Sequence, residues 1–186
     1  FTTLFAASAA DFNGVTIKRG FKDIKNHNPC LTQKFTADPG VMEYNGRLYV
    51  YGTNDGYLQD SAPGDNVYGK INQINVMSSD DLVNWFDHGT IDVAGPNGVA
   101  KWAGNSWAPT AAHKNINGKE KFFLYFANNA SGIGVLVADS PTGPWSDPIG
   151  RALISRQTPN SNVEWLFDPA VFVDGDGSGY LYFGGG

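Results

Sequence analysis

Two Asp-Pro pairs in the sequence each lie directly before a segment of strand-forming residues. Asp38 precedes Pro39 and the segment GVMEYNGRLYVYGT, and Asp168 precedes Pro169 and the segment AVFVDGDGSGYLYFGG. Two carboxyl groups at one site can do acid–base chemistry, in which one takes a proton from water while another sets the local charge or protonates a leaving oxygen. The simpler interpretation is that each Asp-Pro only begins a strand, with the aspartate capping a turn and the proline fixing φ.

A third segment of the same kind lies between these two and makes the pattern a repeat. Ala108 and Pro109 precede TAAHKNINGKEKFFLYFA, so three prolines occur at intervals of 70 and 60 residues. Each segment predicts a strand, a hairpin turn and a strand, because Asn45-Gly46, Asn117-Gly118 and the Asp174–Gly179 run accept the positive φ of tight turns. Each proline is expected at the first residue of its strand, where its missing N–H costs no ladder hydrogen bond.

Two further segments extend the repeat to four strands. INVMSSDDLVNWFDHG follows the first hairpin and GIGVLVADSPTGPWSD follows the second, and each predicts a strand, a turn and an outer strand with aromatic residues. Trp85 and Trp145 hold matching places in these segments and are expected to pack inside the unit, and Asp147 is expected to form a turn. A four-stranded unit at this period is typical of a propeller blade with long insertions.

The predicted fold is therefore all-β, a β-propeller of which the chain supplies about two and a half blades. Residues 1–27 are interpreted as an N-terminal extension with the strand that leads into the propeller, and residues 28–186 as blades one to three, the last one partial. A propeller protects its sheet edges only by closing its ring. The chain is therefore expected not to fold alone, and a complementary C-terminal part is the expected partner.

The start of the innermost strand of each blade faces the central channel, so residues from different blades converge there. Asp38 and Asp168 hold equivalent places in the repeat and are expected to meet in one funnel. Trp107 lies just before the equivalent place in the middle blade. The repeat thus favours a paired-carboxylate site over two unrelated turn residues.

Composition narrows the class of partner. The 186 residues carry 13 Lys and Arg against 18 Asp and Glu, a net charge of −5, with no basic cluster. This removes the electrostatic attraction that supplies most affinity for nucleic acid or an acidic membrane, and no apolar run approaches the roughly 20 residues that span a bilayer. A neutral partner fits better. The chain begins at Phe1 instead of Met, which is compatible with a removed secretory signal, so a secreted protein is expected.

Four motifs, in this order and at blade spacing, resemble glycoside hydrolase family 43: ADPGVMEYNGRLYVYGTND, NSWAPTAAHKN, GIGVLVADSPTGPW and FDPAVFVDGDG. The resemblance runs from about Asn28 to the end and implies a five-bladed propeller with an inverting mechanism. Asp38 matches the family's general base, which activates water against the anomeric carbon. Asp168 matches the aspartate that positions the general acid and modulates its pKa.

The general acid of the family is a glutamate on a later blade, and this chain has no counterpart of it. Glu43, Glu120 and Glu164 do not match its place. The chain alone is therefore expected to be inactive. A carbohydrate-binding propeller without turnover is the alternative of another class, and a glutamate near Asp168 in the rest of the ring would decide for the enzyme.

Aromatic side chains near the aspartates are the predicted sugar-binding residues, because a sugar ring offers an apolar face and a rim of hydroxyl groups. Trp107 is the leading candidate, since the SWAP segment helps to wall the terminal-sugar subsite in the resembled family, and Phe167 and Phe35 follow. The loop Gly52–Gln73 is expected to form a rim that favours a pocket for one terminal sugar. The resemblance then implies removal of α-L-arabinofuranosyl units from arabinoxylan or related plant cell-wall hemicellulose, with β-xylosidase or arabinanase activity as alternatives.

No cofactor is expected and no metal ligand is identified in this chain. His27, His88 and His113 lack metal-ligand spacing. The Asp174–Gly179 run lacks the length and the terminal glutamate of an EF-hand loop. The resemblance leaves calcium as an option for the central channel of the complete propeller.

Overall fold

The computed structural model describes residues 29–56 and 68–186. The chain divides into two compact units, Phe1–Gln33 and Lys34–Gly186, and the second contains every strand of the described residues. The predicted N-terminal extension at residues 1–27 lies outside the described residues. Within the described part of the chain, no helix is long and apolar enough to cross a membrane.

The second unit is built from three antiparallel sheets, and no α-helix occurs among the described residues, so the predicted all-β class is confirmed. The first two sheets have four strands each in sequence order, and the third is a hairpin. A 3-10 helix at Tyr68–Lys70 precedes the third strand. The strands are β1 (Thr36–Tyr44), β2 (Arg47–Asn54), β3 (Gln73–Ser79) and β4 (Phe86–Asp92) in the first sheet, β5 (Trp107–Ile116), β6 (Lys119–Ala127), β7 (Gly132–Ala138) and β8 (Ile154–Ser155) in the second, and β9 (Ala170–Val173) and β10 (Gly179–Tyr182) in the hairpin.

The tight turns of the inner hairpins lie where the Asn-Gly pairs predict them. Tyr44 pairs with Arg47 across Asn45 and Gly46, whose φ angles are 53° and 75°. Asn117-Gly118 repeats this geometry in the second sheet, with φ angles of 54° and 82°. Positive φ at both central residues matches the twist of the flanking strands, so these turns fix the register of both inner hairpins.

Two of the three repeated prolines lie at β-bulges, which differs from the prediction that each is the first residue of its strand. β1 begins three residues before Pro39, and β5 begins two residues before Pro109. In both strands the register shifts at the proline, because the strand has one residue more there than its partner strand has opposite it. A bulged residue has no ladder partner, so the missing N–H of proline costs no hydrogen bond there. Pro169 directly precedes β9.

The outer strand of the second sheet also differs from the prediction. The segment around Trp145 makes a single bridge, between Ser146 and Val137, and the fourth strand of the sheet is β8, which pairs with the start of β7. Pro144 and Pro148 flank this segment. Since proline lacks the N–H that a ladder needs, a longer outer strand cannot form between them.

The aromatic residues of the outer segments have different surroundings. Trp145 packs against the buried core of the first two sheets, as the sequence predicts. Its ring centroid lies 6.4 Å from that of Tyr51. The Asp147 carboxylate accepts hydrogen bonds from two backbone N–H groups of the next residues, which confirms the predicted turn. Trp85 instead lines a small surface cavity of about 250 Å³, and its buried indole N–H has no hydrogen-bond partner among the described residues.

The first two sheets share one core, whose largest buried side chains include Tyr51, Phe122 and Phe126. Strands β1 and β5 approach each other closely because Gly40 has no side chain. A Cβ atom at Gly40 would lie 2.3 Å from the carbonyl oxygen of Pro109. This close approach brings the bulges of the two sheets next to each other.

Candidate active site

A cavity of about 420 Å³ lies among the β1 bulge, the end of β2, the start of β5 and the segment before β9. Four of the five residues that the sequence predicts as functional line it: Asp38, Asp168, Trp107 and Phe167. Segments that are far apart in the chain therefore meet at one place, as the repeat predicts. The described residues that line the cavity are Ala37, Asp38, Thr53, Asp55, Tyr68, Ile71, Trp107, Phe167 and Asp168.

The residue before each repeated proline has the same unusual backbone conformation. The φ angle is 47° at Asp38, 41° at Ala108 and 48° at Asp168. This left-handed region is costly for a residue with a side chain, and such strain persists only where the surrounding structure holds it. Because Ala108 carries no functional group, the conformation belongs to the repeat, and the two aspartates occupy positions that the fold already defines.

Thr53 connects the first two sheets beside the cavity. Its Oγ1 accepts a hydrogen bond of 2.9 Å from the backbone N–H of Ala108, and its side chain is buried. The N–H of a bulged residue needs a partner outside the ladder, and Thr53 supplies it. This contact holds the end of β2 against the start of β5, which carries Trp107.

Three carboxyl groups line the cavity, and the charge of Asp38 acts on the other two. Partial desolvation raises the pKa of Asp168 above its ordinary value, and the charge of Asp38 adds to this shift. The pKa of Asp55 is raised by the same two causes in the same order. None of the described lining residues carries a positive charge. Asp168 and Asp55 therefore hold a proton more readily than a carboxyl group in water does.

The aromatic wall of the cavity is formed by residues from three segments. Trp107 donates its indole N–H to the backbone carbonyl of Tyr68 at 3.2 Å, and the two rings meet edge to face with centroids 6.1 Å apart. Phe167 contacts Trp165 edge to face at 5.5 Å. Gly185 leaves the space that Phe167 fills, since a Cβ there would lie 2.6 Å from the Phe167 ring. These contacts fix two apolar surfaces beside the aspartates.

Phe35, the fifth residue predicted as functional, is not among the described residues that line the cavity. The residue is 38% exposed, and its backbone carbonyl accepts hydrogen bonds from the N–H of Asp55 at 3.1 Å and from the side-chain amide of Asn75 at 3.2 Å. Phe35 therefore supports the end of β2 through its backbone, and its predicted role as a sugar platform stays a prediction.

The three glutamates of the sequence lie away from the described lining of the cavity. Glu43 accepts a hydrogen bond from the Gly46 N–H in the first hairpin turn, and Glu120 pairs with His113 at 2.5 Å. Glu164 precedes the strands of the terminal hairpin and does not line the cavity. Within residues 29–56 and 68–186, no glutamate stands beside Asp38 and Asp168.

Asp55 and Tyr68 also line the cavity, although the sequence did not predict a functional role for either residue. Both belong to the loop Gly52–Gln73, which the sequence predicts as a rim, and the described ends of that loop do border the cavity. Asp55 lies in a Thr-Asn-Asp-Gly run that is typical of a turn, so its residue type alone does not indicate a functional role. Its only distinguishing signal is its place directly after an inner strand, at the end where Asp38 lies.

The part of the chain that the structure describes contains no cluster of metal-ligating side chains. Among the described residues, no group of three or more His, Cys, Asp or Glu side chains is placed to hold a metal ion. The cavity carboxylates do not form such a group.

Comparison with known proteins gives one family. Residues 26–186 match the model of glycosyl hydrolases family 43. An arabinoxylan arabinofuranohydrolase from Bacillus subtilis is 57% identical over 174 residues, which are 89% of this chain and 34% of that protein. A xylosidase/arabinosidase from Humicola insolens is 36% identical over 84% of this chain and 46% of that protein. The chain therefore spans less than half the length of these two relatives.

A solved structure shows the same similarity in three dimensions. The crystal structure of a family 43 arabinoxylan arabinofuranohydrolase from Bacillus subtilis, in complex with cellotetraose, matches with a TM-score of 0.78 and 54% identity. The match covers 89% of this chain and 36% of that one. The fold of this chain is therefore similar to that of the aligned part of that protein.

Proposed function

Since the chain belongs to glycosyl hydrolase family 43, we propose that the complete protein is an inverting glycosidase that removes α-L-arabinofuranosyl units from arabinoxylan or related hemicellulose. One observation carries this proposal: a single cavity contains Asp38 and Asp168 together with the aromatic rings of Trp107 and Phe167. Carboxyl groups for acid–base chemistry and apolar surfaces for a sugar ring are the two requirements of such a site. The name of the Bacillus subtilis relative supports the choice of arabinoside.

In this mechanism a water molecule attacks the anomeric carbon while the glycosidic oxygen leaves. Asp38 takes the proton of that water as general base. Asp168, whose pKa is raised by desolvation and by the charge of Asp38, orients the general acid. Like-charge repulsion from Asp168 also keeps the general acid protonated until it donates to the leaving oxygen. The acid itself is a glutamate outside this chain. Water and carboxyl groups supply all of these steps, so no step is assigned to a cofactor.

The complete fold that we propose is a five-bladed propeller, with the two four-stranded sheets as the first two blades and the β9–β10 hairpin as the start of the third. The equal order of strands in both sheets and the repeated bulge support this. A complementary C-terminal part would supply the remaining blades and the glutamate. Because the proposed substrate is a cell-wall polymer outside the cell, we also propose that the protein is secreted.

The experiment measures the hydrolysis of 4-nitrophenyl α-L-arabinofuranoside and 4-nitrophenyl β-D-xylopyranoside by the complete protein, with the anomer of the released sugar followed by NMR. We expect the arabinoside to be the better substrate and the first product to be the β-anomer. Asp38→Asn should lower kcat by about 100- to 10,000-fold, the usual contribution of a general base. Asp139→Asn is the matched control, since that exposed carboxylate pairs with Lys121 and neither residue lines the cavity.

Three outcomes would contradict the proposal in different ways. Retention of the anomer would exclude the inverting mechanism. A preference for the xyloside would favour β-xylosidase activity, the second candidate, which the name of the Humicola insolens relative supports. Sugar binding without any product would favour the carbohydrate-binding propeller.

A further inference from the structure

The third carboxyl group of the cavity, Asp55, has no role in the mechanism above. It lies directly after β2, which pairs with the strand that carries Asp38, and its side chain is half-buried. It lines the same cavity as Asp38, Asp168 and Trp107. A charged side chain in this place is costly, because it is partly desolvated and close to another carboxylate. Its presence there requires an explanation.

Several side-chain amides hold the chain on both sides of Asp55. The Asn54 amide donates to the Gln73 side chain at 2.9 Å, and its carbonyl oxygen accepts the Gly56 N–H at 3.1 Å. Asn75 is fully buried and donates to Thr36 Oγ1 at 2.7 Å. These bonds join β1, β2 and β3 at the end of the sheet where Asp55 lies. The position of Asp55 is therefore fixed by the fold, which is a requirement for a binding group.

The carboxylate of Asp55 lacks a compensating donor in the described protein. Among residues 29–56 and 68–186, no side chain or backbone group donates a hydrogen bond to it, and no cation lines the cavity. A carboxylate has two oxygens that accept hydrogen bonds and no donor of its own. A ligand that satisfies Asp55 must therefore bring donors. Sugar hydroxyl groups are neutral donors of this kind, and adjacent ones can bind both oxygens.

We propose that Asp55 is a substrate-binding residue that accepts hydrogen bonds from the hydroxyl groups of the terminal sugar held between Asp38, Asp168 and Trp107. This inference rests on the proposed function, because it assumes that the cavity binds a sugar. Asp55 then determines which sugars enter. A residue that only accepts hydrogen bonds selects sugars whose hydroxyl groups are free and rejects sugars in which those groups are removed or methylated.

The test compares the complete wild-type protein with Asp55→Asn on 4-nitrophenyl α-L-arabinofuranoside and on its 2-deoxy, 3-deoxy and 5-deoxy analogues. A hydrogen bond to a charged group contributes enough to predict a loss of about 10- to 100-fold in kcat/KM for the parent sugar. On the analogue that lacks the bound hydroxyl, the wild type and Asp55→Asn should have similar kcat/KM values. That analogue cannot form the hydrogen bond with either protein. Asp139→Asn makes the same charge change away from the cavity and should leave both values unchanged.

Thermal unfolding separates binding from a structural role. Asp55→Asn removes a desolvated charge, so its Tm should equal or exceed that of the wild type at pH 7. A lower Tm together with an equal loss on every analogue would overturn the inference, as would an unchanged kcat/KM on the parent sugar.

Direct binding separates this inference from the proposed function. Methyl α-L-arabinofuranoside is titrated into the complete Asp38→Asn protein with and without Asp55→Asn, by calorimetry. If the wild type shows no turnover but binding still depends on Asp55, the proposed function fails and the inference stands. If the wild type is active and neither binding nor kcat/KM depends on Asp55, the inference fails and the function stands.

Discussion

At the scale of single residues, the backbone conformation beside the cavity is common to the three repeated positions, whereas their side chains differ. Asp38, Ala108 and Asp168 have φ angles within 7° of one another, although one of them has no functional group. The repeat therefore presents three similar positions, and the residue type decides what each one does. Of these three positions, Asp38 and Asp168 carry carboxyl groups that line the cavity, and Ala108 carries none.

The raised pKa of Asp168 has a consequence for stability. Its pKa is higher in the folded protein than in the unfolded chain, so the folded state is favoured when this group is protonated. That stabilisation is present below the unfolded pKa and is lost as the pH rises through the folded pKa. At neutral pH the carboxylate therefore destabilises the protein.

We predict that Asp168→Asn raises the Tm of the complete protein at pH 7 and has no effect below about pH 3, where aspartate is neutral in both states. The shift should be small, about 1–4 °C, because Asp168 remains accessible to solvent. Differential scanning calorimetry across this pH range measures it. A Tm difference that does not change with pH would show that charge is not its cause.

The residues of the site differ in how far the sequence could predict them. Asp38 and Asp168 could be found because the repeat marks equivalent positions, and Trp107 and Phe167 because they adjoin those positions in sequence. Asp55 and Tyr68 lie on a loop that has no counterpart in the second sheet, so no repeat marks them. Their role depends on how the loop ends fold back, which is a property of tertiary structure and not of local pattern.

At the scale of elements, local chemistry determined most of what the sequence predicted correctly. The Asn-Gly turns specify their own backbone angles, so both inner hairpins could be predicted. The bulges could not, because a bulge depends on the register of two strands and is visible in the sequence only as a proline. The prediction of the outer strand of the second sheet was wrong for a related reason. Pro144 and Pro148 prevent the ladder that the first sheet forms at the equivalent place.

The contact between β1 and β5 gives a test of how the two sheets are held together. A Cβ atom at Gly40 would lie 2.3 Å from the carbonyl oxygen of Pro109 and 2.8 Å from the Cα of Thr110, and both are backbone atoms that cannot rotate away. We predict that Gly40→Ala lowers the free energy of unfolding by about 1–3 kcal/mol, the cost of overpacking. It should also lower activity, because the Asp38 bulge moves with β1.

Chemical denaturation of the complete protein measures this change, and Gly104→Ala is the matched control. Gly104 has open space where a Cβ would lie and no positive φ. Its substitution should change the free energy of unfolding by less than about 0.5 kcal/mol. Equal stability of the two variants would show that β1 and β5 do not approach as closely as described.

At the scale of the whole molecule, the terminal hairpin has one covered face and one open face. Leu181 packs in an apolar cluster with Phe167 and Val163 around the buried Leu166. The opposite face carries Phe172, which is 54% exposed and stacks on Tyr180 with ring centroids 6.5 Å apart. Apolar residues on both faces are expected of an inner hairpin in the propeller that we propose, where a neighbouring blade would cover each face.

The open face of the hairpin provides the test of the five-bladed ring. Tyr182 pairs with Ala170 and is 64% exposed, on the same face as Phe172. If a further blade packs there, Phe172→Ala should lower the free energy of unfolding of the complete protein by about 3–5 kcal/mol, as for a buried phenylalanine. Phe86→Ala is the matched control, because Phe86 is 60% exposed on the outer strand β4, where no neighbouring blade is expected. Its cost should stay below about 1 kcal/mol. Urea denaturation of both variants decides the matter: equal costs would mean that the Phe172 face stays exposed to solvent, and the proposed ring would then have to be abandoned.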